Sequence, residues 1–282
     1  MIEVASAYAF EMAALSHVGT GRDHNEDYCG VLVESDTRGL AGVADGVSGS
    51  EGGETASRMA IEVTLRAWRE LPADLPQAKR LMRAVQQANI EVHELSLFVP
   101  ELRGMASTLT FVALDRGEMI AAHVGDSRLY LVREGTAVQL TKDHTVAAER
   151  QRLGLLSERQ ARTHAGKSVL TRSFGRELIC TIDRISLPLS QGDVLVLCSD
   201  GLHGVLGDRE IEALVREADA AAACQALIDA ANARGTPDNL TAAVVRMIGP
   251  IPARPRPAGL GGKLRQLVGA LRFPLNARGD PT

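Results

Sequence analysis

A chain of 282 residues that is 45% hydrophobic but only 3% aromatic can bury a sizeable core, built mainly from Ala, Val and Leu, as one large domain or two small ones. Its formal net charge of −4 and isoelectric point near 6.0 argue against a general nucleic-acid binder, which would carry a basic excess. No apolar stretch approaches the roughly 20 residues that span a bilayer, and residues 1–14 carry Glu3 and Glu11 without the basic start of a secretory signal, so a cytoplasmic protein with no transmembrane segment is expected.

The first apolar run, Leu40-Ala41-Gly42-Val43-Ala44, has the length of a buried strand and stops at Asp45-Gly46. Two amphipathic helices follow. Over 53–71, Ala56, Met59, Ala60, Val63, Ala67 and Leu71 share a face; over 78–98, Leu81, Met82, Val85, Ala88, Val92 and Leu95 do the same. Pro72 and Pro76 punctuate the connection. Strands over 108–114 and 119–124 are joined by Asp115-Arg116-Gly117-Glu118, and strands over 128–132 and 137–140 by Arg133-Glu134-Gly135, short Gly-containing links that signal hairpins. A polar, helix-prone stretch over 143–167 contains a capping-box pattern at Ser157-Glu158-Arg159-Gln160. The run Val194-Leu195-Val196-Leu197-Cys198-Ser199 stops at Asp200-Gly201. Helices are expected over 208–217 and 220–233, with Gly235 as the stop, before Asp238-Asn239 opens Leu240-Thr241-Ala242-Ala243-Val244-Val245. The order of strands, helix pair, strands, helix pair and strand predicts an α+β fold. Two packed antiparallel β-sheets form a β-sandwich flanked by pairs of α-helices, in α-β-β-α layers. There is no internal repeat.

Pro250, Pro252, Pro255 and Pro257 mark a boundary, giving a domain over 1–249 and a Pro/Arg-rich basic tail over 250–282. The tail holds Arg254, Arg256, Lys263, Arg265, Arg272 and Arg278 against Asp280 alone. Leu264, Leu267, Val268 and Leu271 share one helical face, which would suit an acidic partner or an anionic membrane, but the face is short and a flexible tail is the expectation. The four cysteines, Cys29, Cys180, Cys198 and Cys224, form no Cys-x-x-Cys pair and read as buried hydrophobes in a reducing compartment.

Acidic residues recur where apolar runs stop: Asp45, Asp126 after Ile120-Ala121-Ala122-His123-Val124-Gly125, Asp200 and Asp238, with Glu26-Asp27 after a Gly-containing segment. A carboxylate at a buried strand end is costly to desolvate without a cation or hydrogen bonds. Together these residues suggest a cluster of hard oxygen ligands suited to Mg²⁺ or Mn²⁺, and hence a metal-dependent enzyme. Arg22 stands four residues before Glu26, and a guanidinium matches phosphate oxygens. The seven histidines are scattered and there is no His-Glu-x-x-His, so phosphate-ester hydrolysis is favoured over zinc chemistry. A dinuclear site would lower the pKa of a bound water towards about 7. A lone Asp-Gly is more often a turn, a reading with real weight for Asp126 and little for Asp45, Asp200 and Asp238 jointly. His123 reads as a core histidine and Trp68 as packing; no catalytic role is assigned to His144 or His203.

At these residues the chain resembles the metal-dependent protein phosphatase family, type 2C, in its bacterial branch. The likeness covers about residues 12–248 and runs in the family's order. Its elements are Gly21-Arg22-Asp23-His24-Asn25-Glu26-Asp27, Ala44-Asp45-Gly46-Val47-Ser48-Gly49, Ser107-Thr108, Val124-Gly125-Asp126-Ser127-Arg128-Leu129-Tyr130, Leu140-Thr141-Lys142-Asp143-His144, Leu170-Thr171-Arg172-Ser173-Phe174-Gly175, Cys198-Ser199-Asp200-Gly201-Leu202 and Asp238-Asn239-Leu240-Thr241. The resemblance implies that Asp45 bridges two Mn²⁺ or Mg²⁺ ions, Asp200 and Asp238 complete the first site, and Glu26 and the Gly46 carbonyl complete the second. Asp27 would hold a metal-bound water, Arg22 would grip the substrate phosphate, and Asp126 with Asp200 would hold a third, weaker ion. The stretch over 142–167 resembles the family's flap beside the site. The implied activity is removal of phosphate from phosphoserine and phosphothreonine in proteins, by in-line attack of a metal-bridging hydroxide, opposing a bacterial Ser/Thr kinase and acting as a monomer. Two positions depart from the pattern: Ser50 stands where a histidine is usual, and Gly204 where relatives often carry aspartate, which would weaken the third site. A non-catalytic regulator binding a phosphoprotein or kinase, and a phosphatase for small phosphometabolites, are the rival readings.

Overall fold

Both faces of nearly every central strand are apolar, and that decides the architecture. The computed structural model describes residues 2–6, 9–47 and 52–250. In chain order the strands are β1 (Ile2–Ser6), β2 (Phe10–His17), β3 (Asp27–Ser35), β4 (Arg38–Asp45), β5 (Leu109–Asp115), β6 (Glu118–Val124), β7 (Arg128–Arg133), β8 (Thr136–Gln139), β9 (Asp183–Pro188), β10 (Val194–Cys198) and β11 (Leu240–Met247). The helices are α1 (Gly53–Glu70), α2 (Gln77–Phe98), α3 (Val146–Arg152), α4 (Glu158–Thr163), α5 (Asp200–His203), α6 (Asp208–Val215) and α7 (Ala220–Ala233). One sheet runs β1-β2-β11-β10-β7-β8 and the other β3-β4-β5-β6-β9, with every neighbouring pair antiparallel.

The two-residue period of a strand sends alternate side chains to opposite faces. On β10, Leu195 and Leu197 point between the sheets, while Val194, Val196 and Cys198 point to the layer of α6 and α7. On β5, Val112 and Leu114 point inward, while Leu109, Phe111 and Ala113 meet α1 and α2. Three apolar layers result, one between the sheets and one under each helix pair. This is the expected α-β-β-α arrangement, and it explains why these antiparallel strands read as unbroken apolar runs. On α2, Leu81, Val85, Ala88 and Val92 are fully buried, as their spacing predicts. Trp68 is a packing residue: it is buried, its Nε1–H donates to Glu34 Oε1 at 2.8 Å, and the Arg80 guanidinium lies 4.2 Å from the ring centre.

Both expected hairpin links are tight turns with two left-handed residues, Arg116 and Gly117 (φ +48° and +79°) and Glu134 and Gly135 (φ +51° and +72°). Mirror-image turns of this kind match the twist of paired strands. The Ser157–Gln160 capping box forms at α4, and Gly235 adopts φ +67° after α7. All four cysteines are free and buried. The 250–282 tail, beyond Pro250 itself, and Ser50 lie outside the described residues.

Candidate metal centre

Register brings the acidic residues together. Asp27 opens β3 directly opposite Asp45, the last residue of β4, in one sheet. In the other sheet β10 pairs with β11 so that Cys198 faces Ala242, which places the Asp200 turn beside Asp238 at the same edge. Asp126 occupies the link between β6 and β7 and is buried. Carboxylates from both sheets thus meet at one end of the sandwich.

The main chain around them is tied down. The Asp45 N–H donates to Thr108 Oγ1 at 3.0 Å, and Ser107 Oγ donates to the Asp45 carbonyl at 2.8 Å. The Gly46 N–H donates to the Glu26 carbonyl at 3.0 Å. Asn239 accepts the Glu26 N–H through Oδ1 (2.8 Å) and donates Nδ2–H to the carbonyls of Val18 (2.8 Å) and His24 (2.9 Å), which pins the Arg22–Glu26 segment to the start of β11. The Glu26 carboxylate lies against the first residue of α1, where a Cβ on Gly53 would come within 2.5 Å of Glu26 Oε1. Gly125, before Asp126, holds φ +104° and backs onto Thr108, a place closed to any side chain.

The electrostatics are those of crowded, desolvated anions. Burial pushes the Asp27 carboxyl up to about 7, against hydrogen bonds from Ser199 and Thr241 that act the other way; Ser199 Oγ donates to Asp27 Oδ2 at 2.7 Å. Burial also raises Asp45 well above the usual carboxylate range, and the charges of Asp27, Asp200, Asp126 and Asp238 add to the shift. Asp126 is raised by burial and then by Asp200 and Asp143. Asp200 is raised by burial and Asp238, partly offset by a hydrogen bond shared with Asp45 and by Arg22. Concentrated negative charge of this kind on hard oxygen donors fits divalent cations.

The fit has a condition. Among the described residues, no three His, Cys, Asp or Glu side chains already close round a single point. Asp238 is instead held by Arg22, whose Nη2 is 3.0 Å from Oδ1, and Glu26 leans on Gly53. Closing a cage takes side-chain rotation of Asp238 and Glu26, which the partial exposure of both permits.

A cavity of about 680 Å³ opens here, lined by Arg22, Asp45, Gly46, Asp126, Asp200 and Asp238 on the acidic side and by parts of the 168–181 segment opposite. Asp27 is buried behind it and Glu26 lies beside it. Arg22 and every candidate ligand, Glu26, Asp27, Asp45, Gly46, Asp126, Asp200 and Asp238, are therefore at this end of the sandwich. Gly204 follows α5, donates its N–H to the Asp200 carbonyl at 2.7 Å and adds no ligand.

His123, His144 and His203 are tied into the backbone and its neighbours. His123 is buried, with Thr110 Oγ1 3.0 Å from Nδ1 and the Lys142 carbonyl 3.1 Å from Nε2, and burial holds its pKa down at about 4. His144 accepts the Gly125 N–H at Nδ1 (3.1 Å) and donates Nε2–H to Asp183 (3.2 Å). His203 Nε2–H donates to the Asp126 carbonyl at 3.0 Å, and burial lowers its pKa to about 3. Sequence reasoning singled out neither Ser199 nor Thr108 for these supporting roles. Their one visible signal was a hydroxyl beside a strand-end aspartate or in a strand pairing with it.

A family model described as protein phosphatase 2C matches residues 15–245. The serine/threonine phosphatase stp of Listeria monocytogenes is 34% identical over 231 residues, covering 80% of this chain and 92% of that protein. Protein phosphatase PhpP of Streptococcus pneumoniae is 33% identical over 240 residues, covering 84% and 97%. Among solved structures, the catalytic domain of serine threonine protein phosphatase PstP in complex with two manganese ions is similar, with a TM-score of 0.75 at 28% identity, over 85% of this chain and 99% of that one.

Proposed function

The chain belongs to the protein phosphatase 2C family, and from that premise we propose how its acidic end works as the centre of a metal-dependent serine/threonine protein phosphatase. The enzyme hydrolyses phosphoserine and phosphothreonine in proteins, with two Mn²⁺ or Mg²⁺ ions as cofactor. Asp45 would bridge them; Asp200 and Asp238 would complete one site, and Glu26 with the Gly46 carbonyl the other. Asp126 with Asp200 would hold a third, weaker ion, which Gly204 does not reinforce. When bound, the cations supply a water of lowered pKa and neutralise phosphoryl charge.

The protein's own groups do the rest. Arg22 reaches the cavity from a segment fixed by Asn239 and binds the phosphate oxygens with its planar donors. Asp27, buried and oriented by Ser199, would hold a water beside the ions. The carboxylates line the cavity together with residues of the 168–181 segment, which would face the polypeptide around the phosphate. The observation that carries the reading is the meeting of Asp45, from one sheet, with Asp200 and Asp238, from the other, beside Arg22.

The catalytic domain is proposed to span residues 1–249, with 142–167 as a flap and 250–282 as a basic tail. Four free cysteines support a reducing compartment, the cytoplasm, where a Ser/Thr kinase would supply the phosphoproteins and the enzyme would act as a monomer. The test is hydrolysis of a phosphothreonine peptide beside a sugar phosphate, with Mn²⁺, Mg²⁺ or chelator. Metal-dependent turnover of the peptide, lost in Asp45→Ala, is expected. Preference for the sugar phosphate would favour the metabolite reading, and metal binding without turnover would favour the regulator.

A further inference from the structure

Three arginines line the cavity, and two of them are already paired with carboxylates. Arg22 is joined to Asp238, and Arg172 Nη1 donates to Asp183 Oδ1 at 2.8 Å. The third, Arg176, is exposed, and among the described residues it has no ion pair or side-chain hydrogen bond, not even to its neighbour Glu177.

The backbone carrying Arg176 is held firmly. Asn89, fully buried on α2, accepts the Gly175 N–H at 2.8 Å and donates to the carbonyls of Glu177 (2.8 Å) and Leu178 (3.1 Å). Gln86 also donates to the Leu178 carbonyl at 3.1 Å, and His93 Nδ1 lies 3.1 Å from the Gly175 carbonyl. The segment 175–178 is thus fastened to α2 on both sides of Arg176, whose side chain is left to the cavity. A fixed backbone with one unspent guanidinium suits a second anion, since the loop is already ordered and only the side chain remains to be ordered on binding. The volume of about 680 Å³ exceeds what a phosphate group needs and leaves room for residues flanking it.

We propose that Arg176 is a specificity-determining residue, pairing with an anionic side chain that neighbours the phosphoserine or phosphothreonine of the substrate. The inference rests on the protein phosphatase reading and adds to it the class of protein sequence preferred. The shared chemistry is an anion one or a few residues from the scissile phosphate, either a carboxylate or a second phosphate.

The test compares kcat/KM for phosphothreonine peptides with neutral, Asp/Glu, second-phosphoserine or Lys flanks, using the full chain with Mn²⁺. The wild type should prefer anionic over neutral flanks by roughly two- to fivefold, the range of an exposed ion pair. The ratio should fall to about one in Arg176→Gln, persist in part in Arg176→Lys, and turn towards Lys flanks in Arg176→Glu. The carboxylate and phosphate arms show which anion is read. An equal ratio in wild type and Arg176→Gln, or an equal loss on every peptide, would overturn the proposal. Failure of all peptides beside good turnover of a sugar phosphate would instead overturn the protein phosphatase reading, and this inference with it.

Discussion

Arg22 and Asp238 hold one another at the cavity, with Nη2 3.0 Å from Oδ1 and 3.2 Å from Oδ2. Each side chain is about one-third exposed, at 35% and 34%. A pair so placed contributes at most about 1 kcal/mol to stability, whereas the phosphate-binding role proposed for Arg22 would count for much more in catalysis. Arg22→Ala should therefore change stability to urea by at most about 1 kcal/mol while lowering kcat/KM by roughly 10- to 100-fold. Steady-state kinetics on a phosphopeptide and a urea curve check the two halves separately.

Asp45 lies under the field of four other carboxylates. Asp45→Asn removes that repulsion, so the metal-free variant should melt at or above the wild-type temperature. Mn²⁺ at about 100 times its Kd should stabilise the wild type by about 2.7 kcal/mol, some 5–10 °C for a domain of this size. The variant should show little of that increase and almost no phosphatase activity. Thermal melts with chelator and with Mn²⁺ measure it; an undiminished metal response would remove Asp45 from the ligand set.

Asp27 carries a pH signature. Its carboxyl is raised from the ordinary 3.8 to about 7 in the folded chain. The folded state therefore holds the proton more tightly, and this contribution is complete below about pH 4 and lost as pH rises through about 7. Metal-free wild type should lose stability relative to Asp27→Asn between pH 5 and pH 8. The lowered pKa values of His123 and His203 act in the opposite sense on acidification, but equally in both proteins. Urea denaturation of the pair at the two pH values gives the difference, which Mn²⁺ should suppress by competing with the proton.

Arg128 and Asp143 form a mostly buried bidentate pair, with Nη2 2.7 Å from Oδ2 and Nε 3.0 Å from Oδ1. Asp143→Ala strands the guanidinium and should cost about 3 kcal/mol. Replacing both partners, with Arg128→Met and Asp143→Leu, should cost less than the single change. Chemical denaturation of the three proteins decides.

Glu134 sits at φ +51° in the β7–β8 turn, exposed, where asparagine is better suited. Glu134→Asn should raise stability by roughly 0.5–1 kcal/mol without altering kinetics.

Much of the fold was legible because its strands are buried on both faces: Val194–Cys198 and Leu240–Met247 could hardly be anything else. Asp183–Pro188 was not, since an edge strand with alternating exposed and half-buried residues looks like a loop. The acidic cluster was visible because strand ends that pair in register must meet. What the chain could not announce is how the ends are held. The contact of Ser199 with Asp27 spans 172 positions, and that of Asn239 with the Glu26 N–H spans 213. The clamp of Asn89 on the 175–178 loop was equally hidden, because a buried asparagine on a helix face looks like an interruption of the apolar pattern.

Asp45 ends a strand of one sheet, while Asp200 and Asp238 flank strands of the other, so the layer of Val43, Leu197 and their neighbours between the sheets acts as a spacer for the reactive end. A slight slide or tilt of one sheet over the other would misalign the carboxylates long before the molecule came apart. Leu197→Ala, remote from any phosphate, should accordingly weaken retention of the ions at temperatures where its circular dichroism is still that of a folded protein. Ion affinity in this molecule is in effect a gauge of how well the two halves of the sandwich fit.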